Sequence, residues 1–350
     1  MLYHMNRLVT LSDIPNRHKL IYGNSGYGKT YCCCQLLEEE YSANRRTLVV
    51  DFSRSYDLHE LQKSNLTVPH ICWNPYHSPF YWSITTKSNS EFVNKIVDIL
   101  LIVMKITSYY QRKLLLEAVT LHMKQFSSFN FDIFFKTLEY LYEQKKFLGA
   151  SSDEISNMGH LINRFSPYRD LYNINLKPQK ASVKTWSKQL FILQLSDFSY
   201  SLRKFLTLLF CELIWLETKN RESKLRFDTI LLDEFHFLSL RHDSALTYLL
   251  REGRRFGIGL ILSTQFISAY SPEELETLFQ AGNILIFHPN ERELNFSAKI
   301  LNPFHSTEWI PLLNNLKVGQ TILRGHYTLM SKQQILDTPI LCDVISREEV

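Results

Sequence analysis

An eight-residue stretch, GNSGYGKT at 23–30, most constrains how this chain can fold. It follows a short apolar run at 20–22 and precedes YCCCQLL, which has the pattern of a helix. Glycines let the backbone turn tightly, so that several N–H groups point at phosphate oxygens, and the helix that follows adds its positive N-terminal end. We therefore predict a phosphate-binding loop; the alternative is a glycine turn that binds no ligand.

The motif G-x-x-x-x-G-K-[ST] is met by Gly23, Gly28, Lys29 and Thr30. In such a loop the lysine reaches the β- and γ-phosphates of a nucleotide, and the hydroxyl residue coordinates Mg²⁺. Lys29 is thus a predicted catalytic residue and Thr30 a predicted metal ligand. The predicted nucleotide-binding residues are Gly23, Asn24, Ser25, Gly26, Tyr27, Gly28, Lys29, Thr30 and Tyr31.

A second motif, TILLDEF at 229–235, places two acidic residues at the end of an apolar strand. Ligands gather at the carboxyl ends of the strands in parallel sheets. Asp233 is expected to bind Mg²⁺ through water, and Glu234 to orient or deprotonate the attacking water. Acidic pairs also occur at ordinary strand ends, but the position of this pair downstream of a phosphate loop makes it a stronger signal. The glutamate next to Asp233 favours hydrolysis by the chain itself.

A third stretch, REGRRFGIGLILSTQ at 251–265, carries a strand to the same sheet edge as the acidic pair. Gln265 at its end is expected to sense the γ-phosphate or to hold the attacking water. Arg251, Arg254 and Arg255 end the preceding helix, and an arginine there can reach a neighbouring subunit's nucleotide. The alternative for these arginines is a solvated basic helix end, which the helix dipole favours.

Short apolar runs alternate with helical patterns, which predicts an α/β fold with a mainly parallel sheet and helices on both faces. GQTILRGHYTLMS at 319–331 predicts a terminal hairpin at the sheet edge. The predicted strands lie at 19–23, 46–51, 189–197, 227–234, 257–265 and 283–288.

Between about residues 75 and 185 the pattern changes to apolar residues at helical spacing. We therefore predict an all-helical insertion at 76–185. The ATPase core is then formed by 1–75 and 186–350.

The composition is that of a soluble globular protein, with 45% apolar and 21% charged residues. The net charge of +4 is compatible with a nucleic-acid partner but does not require one. Six cysteines without C-x-x-C spacing indicate small buried side chains in a reducing compartment. We expect a cytoplasmic protein without an integral membrane segment, because no signal peptide is present and the most apolar stretch, 96–106, is short.

These motifs resemble those of the HerA/FtsK group of P-loop ATPases, and of its HerA-like branch most closely. The resemblance covers about 1–60 and 188–330 and implies a RecA-like (ASCE) ATPase core. It does not extend to the helical insertion. It rests on GNSGYGKT, LLDEFHFL and EGRRFGIGLILSTQ, and on the order and spacing of LQLSDFSYSLRKFLTLLFCELIW, NILIFHPNERELNFSAKIL and LKVGQTILRG.

Members of this group form rings, usually hexamers, bind ATP and Mg²⁺ between subunits, and pull double-stranded DNA through a central pore. The resemblance implies such a homo-oligomeric DNA translocase, with a nuclease or other effector partner, in DNA processing or anti-phage defence. It also implies a sensor at Gln265 and an intersubunit arginine at Arg254 or Arg255. Two other functions stay open: a conjugation- or secretion-type ATPase for macromolecule transfer, and an ATP-dependent scaffold that gates a partner enzyme.

Three features depart from the family's pattern. Arg54 and Ser55 stand where the family has Gly and Glu after the second strand, although Asp51 is kept. The eighteen residues before the first predicted strand are too few for the N-terminal β-barrel of HerA proteins, so we expect none. Phe266 and Ile267 replace the Arg-Pro of FtsK-type proteins, which favours the HerA-like side.

Basic residues that track DNA phosphates give salt-sensitive binding. The candidate DNA contacts, each of which is otherwise an ordinary surface charge, are Arg164, Arg169, Lys184 and Lys188.

His236 and His242 near the acidic pair have no partners at metal-ligand spacing, so no transition-metal site is predicted.

Overall fold

The chain forms two compact units. The computed structural model describes residues 1–56, 68–179, 190–219, 227–238, 240, 244–329 and 335–345. The first unit comprises Met1–Cys72, Ser187–Gln194 and Phe227–Val350, and the second comprises Trp73–Trp186 and Leu195–Arg226. The domain boundaries inferred from the sequence stay a prediction.

The strands fall into two sheets, one of twelve strands and one of three within the described residues. The order of the large sheet is β14-β2-β1-β15-β13-β12-β3-β11-β10-β4-β9-β5, and that of the small sheet is β6-β8-β7. In chain order the strands are β1 (Leu2–His4), β2 (Arg7–Leu11), β3 (Lys19–Tyr22), β4 (Thr47–Asp51), β5 (His70–Trp73), β6 (Phe80–Thr85), β7 (Phe129–Asn130), β8 (Ile174–Gln179), β9 (Leu190–Gln194), β10 (Thr229–Leu232), β11 (Gly259–Thr264), β12 (Asn283–Ile286), β13 (Gln320–Gly325), β14 (Tyr327–Leu329) and β15 (Ile340–Val344).

Parallel pairing in the middle of the large sheet sets the position of every predicted site residue. The neighbours β12, β3, β11, β10, β4 and β9 all run in one direction. The register places Thr264 of β11 beside Tyr22 of β3, and Leu232 of β10 beside Leu262 of β11. The carboxyl ends of these strands therefore lie at one edge of the sheet. The predicted α/β fold with a mainly parallel sheet is confirmed.

The predicted terminal hairpin is wrong. In the described sheet β13 pairs with β12 and β15, whereas β14 pairs with β2. Gly325 ends β13 with φ of +140°, a conformation that glycine adopts readily, and the chain turns there to a different partner. The N-terminal residues, for which no strand was predicted, form β1 and β2 in the same antiparallel part of the sheet.

The predicted helix after the phosphate loop is confirmed, and it begins at Lys29. None of the helices within the described residues is long and apolar enough to cross a bilayer. In chain order these helices are α1 (Lys29–Ser42), α2 (Asn89–Val103), α3 (Tyr109–Gln125), α4 (Phe131–Phe147), α5 (Ser152–Phe165), α6 (Tyr200–Lys219), α7 (Ala245–Glu252), α8 (Pro272–Leu278), α9 (Glu291–Leu301) and α10 (Ser306–Asn314).

The second unit is helical but contains the three-stranded sheet, so the prediction of an all-helical insertion is wrong in this respect. β6 alternates buried and more exposed residues, which is the period of a strand. Its FYWSIT sequence is rich in the aromatic and β-branched residues that suit strands. The stronger helical periodicity downstream masked this short signal. The helices α2 to α5 each begin at a side chain that accepts a backbone N–H, those of Ser88, Ser108, Asn130 and Ser151.

A buried ion pair joins β3 to α1 on either side of the phosphate loop. Lys19 Nζ lies 3.1 Å from Glu40 Oε1, and Thr229 Oγ1 donates to Glu40 Oε2 at 2.6 Å. Burial raises the pKa of Glu40, but Lys19, Thr229 and Arg45 outweigh it and the pKa is lowered. This paired carboxylate fixes the far end of α1 on the sheet.

His18, directly before β3, makes the first unit sensitive to acid. Its Nδ1 accepts a 3.0 Å hydrogen bond from the backbone N–H of Leu260, and its side chain is buried. Burial, with a smaller effect of the charges on Arg17 and Lys19, lowers the pKa of His18 from 6.5 to about 4. The unfolded chain takes up this proton near pH 6.5. The stability that the neutral ring provides is therefore complete above pH 6.5 and is lost as the pH falls towards 4.

We predict that His18→Asn removes this acid sensitivity, because Asn Oδ1 can accept the same hydrogen bond without titrating. The free energy of unfolding, measured by urea denaturation, should fall in the wild type relative to the variant by about 3 kcal/mol between pH 7 and pH 4. A difference between the two proteins that stays constant over this range would contradict the assignment.

Candidate nucleotide-binding and hydrolysis site

The predicted phosphate loop connects the last residue of β3 to the first residue of α1. Three glycines turn its backbone at positive φ: Gly23 at +142°, Gly26 at +82° and Gly28 at +101°. Gly28 is the N-cap of α1 and offers no side-chain acceptor to the first turn of the helix. That acceptor is left to a ligand, and an anion suits the positive end of the helix.

The loop is held in place by the segment that follows β12. A Cβ atom added at Gly23 would lie 2.6 Å from the carbonyl oxygen of Phe287, so only glycine fits there. The backbone N–H of Asn24 donates to the carbonyl oxygen of His288 at 2.8 Å. The ring of Tyr27 stacks on that of His288 at a centroid distance of 4.5 Å. The shape of the loop is therefore fixed by contacts with protein on its outer side.

Lys29 points back into the loop. Its Nζ donates to the carbonyl oxygens of Gly23 at 2.7 Å and Asn24 at 2.9 Å. Burial lowers the pKa of Lys29, and the nearby carboxylates of Glu234 and Asp233 oppose that effect. The lysine and the acidic pair are thus close enough to interact electrostatically, as expected for residues of a single site. Thr30 and Tyr31 follow it in the first turn of α1, and both are partly exposed.

Asp233 directly follows β10 and is almost fully buried. Burial raises its pKa from 3.8 to about 6, and the carboxylates of Glu234 and Asp51 raise it further, while Ser263 lowers it. A buried carboxylate beside two others is unfavourable unless a cation joins them. The oxygen ligands offered by Asp233 and the Thr30 hydroxyl fit Mg²⁺, which prefers a few protein oxygens supplemented by phosphate and water.

Two neighbouring side chains contact the carboxylate of Glu234. Gln265 Nε2 donates to its Oε1 at 2.7 Å, and His236 Nδ1 lies 3.2 Å from its Oε2. Burial raises the pKa of Glu234, but His236, Gln265 and Lys29 outweigh burial, and the pKa is lowered. Glu234 also has φ of +53°, a strained conformation for a residue with a side chain and one that is common at functional sites. The structure thus brings together an ionised carboxylate and Gln265, as the sequence predicted.

A tight turn follows β4, the strand that pairs with β10. Asp51 Oδ1 and Oδ2 accept hydrogen bonds from the backbone N–H groups of Ser55 at 3.0 Å and Tyr56 at 3.1 Å. Arg54 adopts φ of +67°, the conformation that a glycine would take most easily. The chain therefore makes this turn without the glycine that the family pattern led us to expect, and the carboxylate of Asp51 stabilises it.

Arg254 and Arg255 lie at the opposite edge of the sheet from the phosphate loop. They belong to a 3-10 helix, Gly253–Phe256, that leads into the amino end of β11. The parallel register puts that end beside the start of β3, a strand length of roughly 15 Å from the loop at 23–30. Both side chains are exposed. Neither arginine can contact a nucleotide in the loop of its own chain.

The other basic residues singled out from the sequence have varied surroundings. Arg251 donates to the hydroxyl of a residue in α8 at 3.1 Å. Arg164 donates to two backbone carbonyls at the carboxyl end of α2, at 2.7 and 3.1 Å, and so caps that helix. Arg169 is exposed beside an aspartate. Outside the described residues lie Lys184, Lys188 and His242.

The loop at 23–30 joins β3 to α1, the acidic pair follows β10, and β11 lies between β3 and β10 in the sheet. This arrangement defines the RecA-like P-loop ATPase fold. VirB4 of Thermoanaerobacter pseudethanolicus has this fold, with a TM-score of 0.67 and 14% identity over 97% of this chain and 91% of that chain. The plasmid coupling protein TrwB in complex with the ATP analogue ADPNP gives a TM-score of 0.63 and 16% identity, over 96% and 89% of the two chains. At these identities the likeness shows the fold alone. No protein-family model and no curated protein matches the chain.

Two residues of the site were missed in the sequence. His288 packs on the phosphate loop through its ring and its backbone carbonyl. Glu293 accepts hydrogen bonds from the segment that follows Gln265. The only available signal was the pattern Asn290-x-x-Glu293, which predicts the start of a helix but not these contacts.

We predict that Gly23→Ala destabilises the protein more than Gly26→Ala. Both glycines have positive φ, which costs an alanine about 1 kcal/mol. Only at Gly23 would the new Cβ also collide with backbone, because nothing lies within 4 Å of the corresponding position at Gly26. Urea denaturation should give a loss for Gly23→Ala at least about 1 kcal/mol greater than that for Gly26→Ala. Equal losses would show that Gly23 does not pack against Phe287 as described.

Proposed function

We propose that the chain is an ATP-hydrolysing, ring-forming motor of the HerA/FtsK type, of the HerA-like branch, that translocates double-stranded DNA. One observation carries the proposal. Lys29, Asp233, Glu234 and Gln265 come together at one edge of a parallel sheet, with Gln265 hydrogen bonded to Glu234. This set supplies a phosphate ligand, a metal ligand, a base and a γ-phosphate sensor.

Each of these residues has a defined task in hydrolysis. The backbone N–H groups of the loop and Lys29 bind the phosphates of ATP, and TrwB, with the same fold, has been solved with ADP and Mg²⁺. Thr30 and Asp233 would hold Mg²⁺, which neutralises phosphate charge. Glu234 accepts a proton from the attacking water, because its carboxylate is kept ionised. Gln265, bonded to Glu234, orients that water.

The position of the arginines supports a site shared between subunits. Arg254 and Arg255 are exposed and lie a strand length away from the loop of their own chain. Such an arginine reaches a nucleotide only in a neighbouring chain. For this, the side of the sheet where the strands begin in one chain must face the phosphate loop of the next. Head-to-tail contacts of this kind close into rings, and we propose a hexamer.

The distribution of charge supports a nucleic-acid partner. The second unit contains 20 Lys and Arg against 13 Asp and Glu, whereas the first contains 19 against 22. The second unit therefore carries the whole excess of positive charge, and such an excess attracts phosphate backbones. We propose that the ring works with a nuclease or another effector in DNA processing or anti-phage defence.

A second candidate is a conjugation- or secretion-type ATPase for macromolecule transfer. It is favoured by the likeness to VirB4 and to TrwB, which is described as a bacterial conjugative coupling protein. Both candidates use the same hydrolysis site. They differ in what stimulates it.

We predict that Lys29→Ala and Glu234→Gln fail at different steps. Lys29→Ala removes a phosphate ligand and should abolish binding of a fluorescent ATP analogue together with hydrolysis. Glu234→Gln keeps the shape of the base but not its charge, so binding should persist while turnover falls by at least about a hundredfold. Normal turnover by Glu234→Gln would exclude Glu234 as the base.

The shared site makes a further prediction about mixtures of inactive variants. Lys29→Ala and Arg255→Ala should each lack activity. When they are mixed, a loop from an Arg255→Ala chain can meet an intact arginine of a Lys29→Ala neighbour. Turnover should then recover to about a quarter of the wild-type value for random assembly of independent sites. Arg254→Ala serves as the matched variant. If neither arginine variant complements Lys29→Ala although both are inactive, the arginines do not act across subunits.

DNA dependence separates the two candidate functions. We predict that double-stranded DNA raises the rate of phosphate release, that single-stranded DNA does so less, and that the stimulation weakens with salt. An assembled ring whose hydrolysis is the same with duplex, single-stranded and no DNA would rule out the translocase and leave the transfer ATPase.

A further inference from the structure

One short turn touches two parts of the site that are far apart in the sequence. It runs from the end of β12 into the first turn of α9 and comprises residues 287–293, here called the bridging turn. We propose that the bridging turn fixes the phosphate loop and Gln265 relative to each other, with Glu293 as the positioning residue for Gln265. The inference rests on the proposed ATP hydrolysis at this site and adds a residue that the motifs do not contain.

The first half of the bridging turn holds the phosphate loop. The carbonyl oxygen of His288 accepts the backbone N–H of Asn24 at 2.8 Å, and the Asn24 side chain lies 3.3 Å from His288 Nδ1. The His288 ring also stacks on Tyr27. Two residues of the loop, on either side of Gly26, are therefore attached to one histidine.

The second half holds the segment after Gln265. Glu293 Oε1 accepts hydrogen bonds from the backbone N–H groups of Ile267 and Ser268, each at 2.8 Å. These amides follow Gln265 by two and three residues. A carboxylate that accepts two backbone N–H groups forms charge-assisted bonds, which are roughly twice as strong as neutral ones. Glu293 thus fixes the path of the backbone after β11, and with it the position of Gln265.

Glu293 is a costly residue for a role in packing alone. It is fully buried, and its Oε2 has no hydrogen-bond partner within the described residues. A buried carboxylate oxygen without a partner is destabilising, so packing alone does not account for a glutamate at this position. The start of α9 does not need this side chain, because Asn290 Oδ1 already accepts the backbone N–H of Glu293 at 3.0 Å. The side chain is instead directed to the segment after Gln265.

The helix behind the bridging turn is itself attached to the strand that leads into the phosphate loop. Tyr22, the last residue of β3, donates from its hydroxyl to Ser297 Oγ of α9 at 3.0 Å. Both residues are buried. The first two turns of α9 therefore contact both β3 and the segment after Gln265, so this helix links the strand that leads into the phosphate loop to the segment that follows Gln265.

The test compares Glu293→Ala, Glu293→Gln and Glu291→Ala in steady-state ATP hydrolysis. Glu291 begins the same helix but is exposed, so Glu291→Ala is the matched control. Glu293→Ala should lower kcat at least about tenfold with little change in KM, because a displaced Gln265 affects the reaction and not ATP binding. Glu293→Gln, whose carbonyl oxygen can accept both N–H groups, should restore most of kcat. In a Gln265→Ala background Glu293→Ala should have no further effect.

The proposal is overturned if Glu293→Ala matches Glu291→Ala, or if its effect multiplies with that of Gln265→Ala. Hydrogen exchange of the peptide covering Ile267 and Ser268 is measured on the same variants. Its protection should fall in Glu293→Ala and persist in Glu293→Gln, and unchanged protection in Glu293→Ala also overturns the contact. If the wild type hydrolyses no ATP, the proposed function fails, whereas the exchange measurement still decides whether Glu293 holds this segment.

Discussion

Parallel pairing of β12, β3, β11 and β10 is the constraint on which the rest of the site depends. Strands that run in one direction in register must release their chain ends at one edge of the sheet. The phosphate loop, the acidic pair and Gln265 follow three of these strands, and for that reason they meet. The same pairing keeps Arg254 and Arg255 at the other edge. A single chain therefore has the phosphate loop, the acidic pair and Gln265 on one side and its exposed arginines on the opposite side.

The charges at this edge of the sheet fit the metal-bound nucleotide that we propose as its ligand. Asp51, Asp233 and Glu234 lie close together, and the pKa of Asp233 is raised by burial and by the other two carboxylates. Lys29 is the positive charge that faces Asp233 and Glu234 in the loop. A triphosphate alone would add negative charge to this cluster, whereas a divalent cation with it restores the balance. A bound Mg²⁺ would thus offset the buried negative charge of Asp233 and take the Thr30 hydroxyl as a ligand.

Much of this site could be predicted because its chemistry is local in the sequence. Gly23, Gly28, Lys29 and Thr30 stand within eight consecutive residues. Asp233 and Gln265 each follow an apolar strand directly, so period and spacing were enough to place them. The two residues that hold the phosphate loop and the segment after Gln265 could not be predicted in this way. His288 and Glu293 act through backbone atoms of segments more than twenty residues away, and no spacing rule records such a contact. At the turn after β4, Arg54 takes a positive φ where the family has glycine, and the Asp51 carboxylate accepts two backbone N–H groups of that turn.

Two short signals were lost beside stronger ones. β6 has the alternation of a strand but lies next to long helical repeats. β13 and β14 are adjacent in sequence, which favoured a hairpin, yet β13 pairs with β12 and β15, and β14 pairs with β2. Pairing between distant segments is decided by tertiary packing, and a single sequence does not reveal it.

We propose that a complete hydrolysis site exists only where two copies of the chain meet. ATP turnover per chain, measured as a function of protein concentration with particle mass recorded on the same samples, tests it most directly. Turnover should rise with concentration and level off as the mass reaches that of a closed ring. Turnover per chain that is constant, in particles with the mass of one chain, would contradict it.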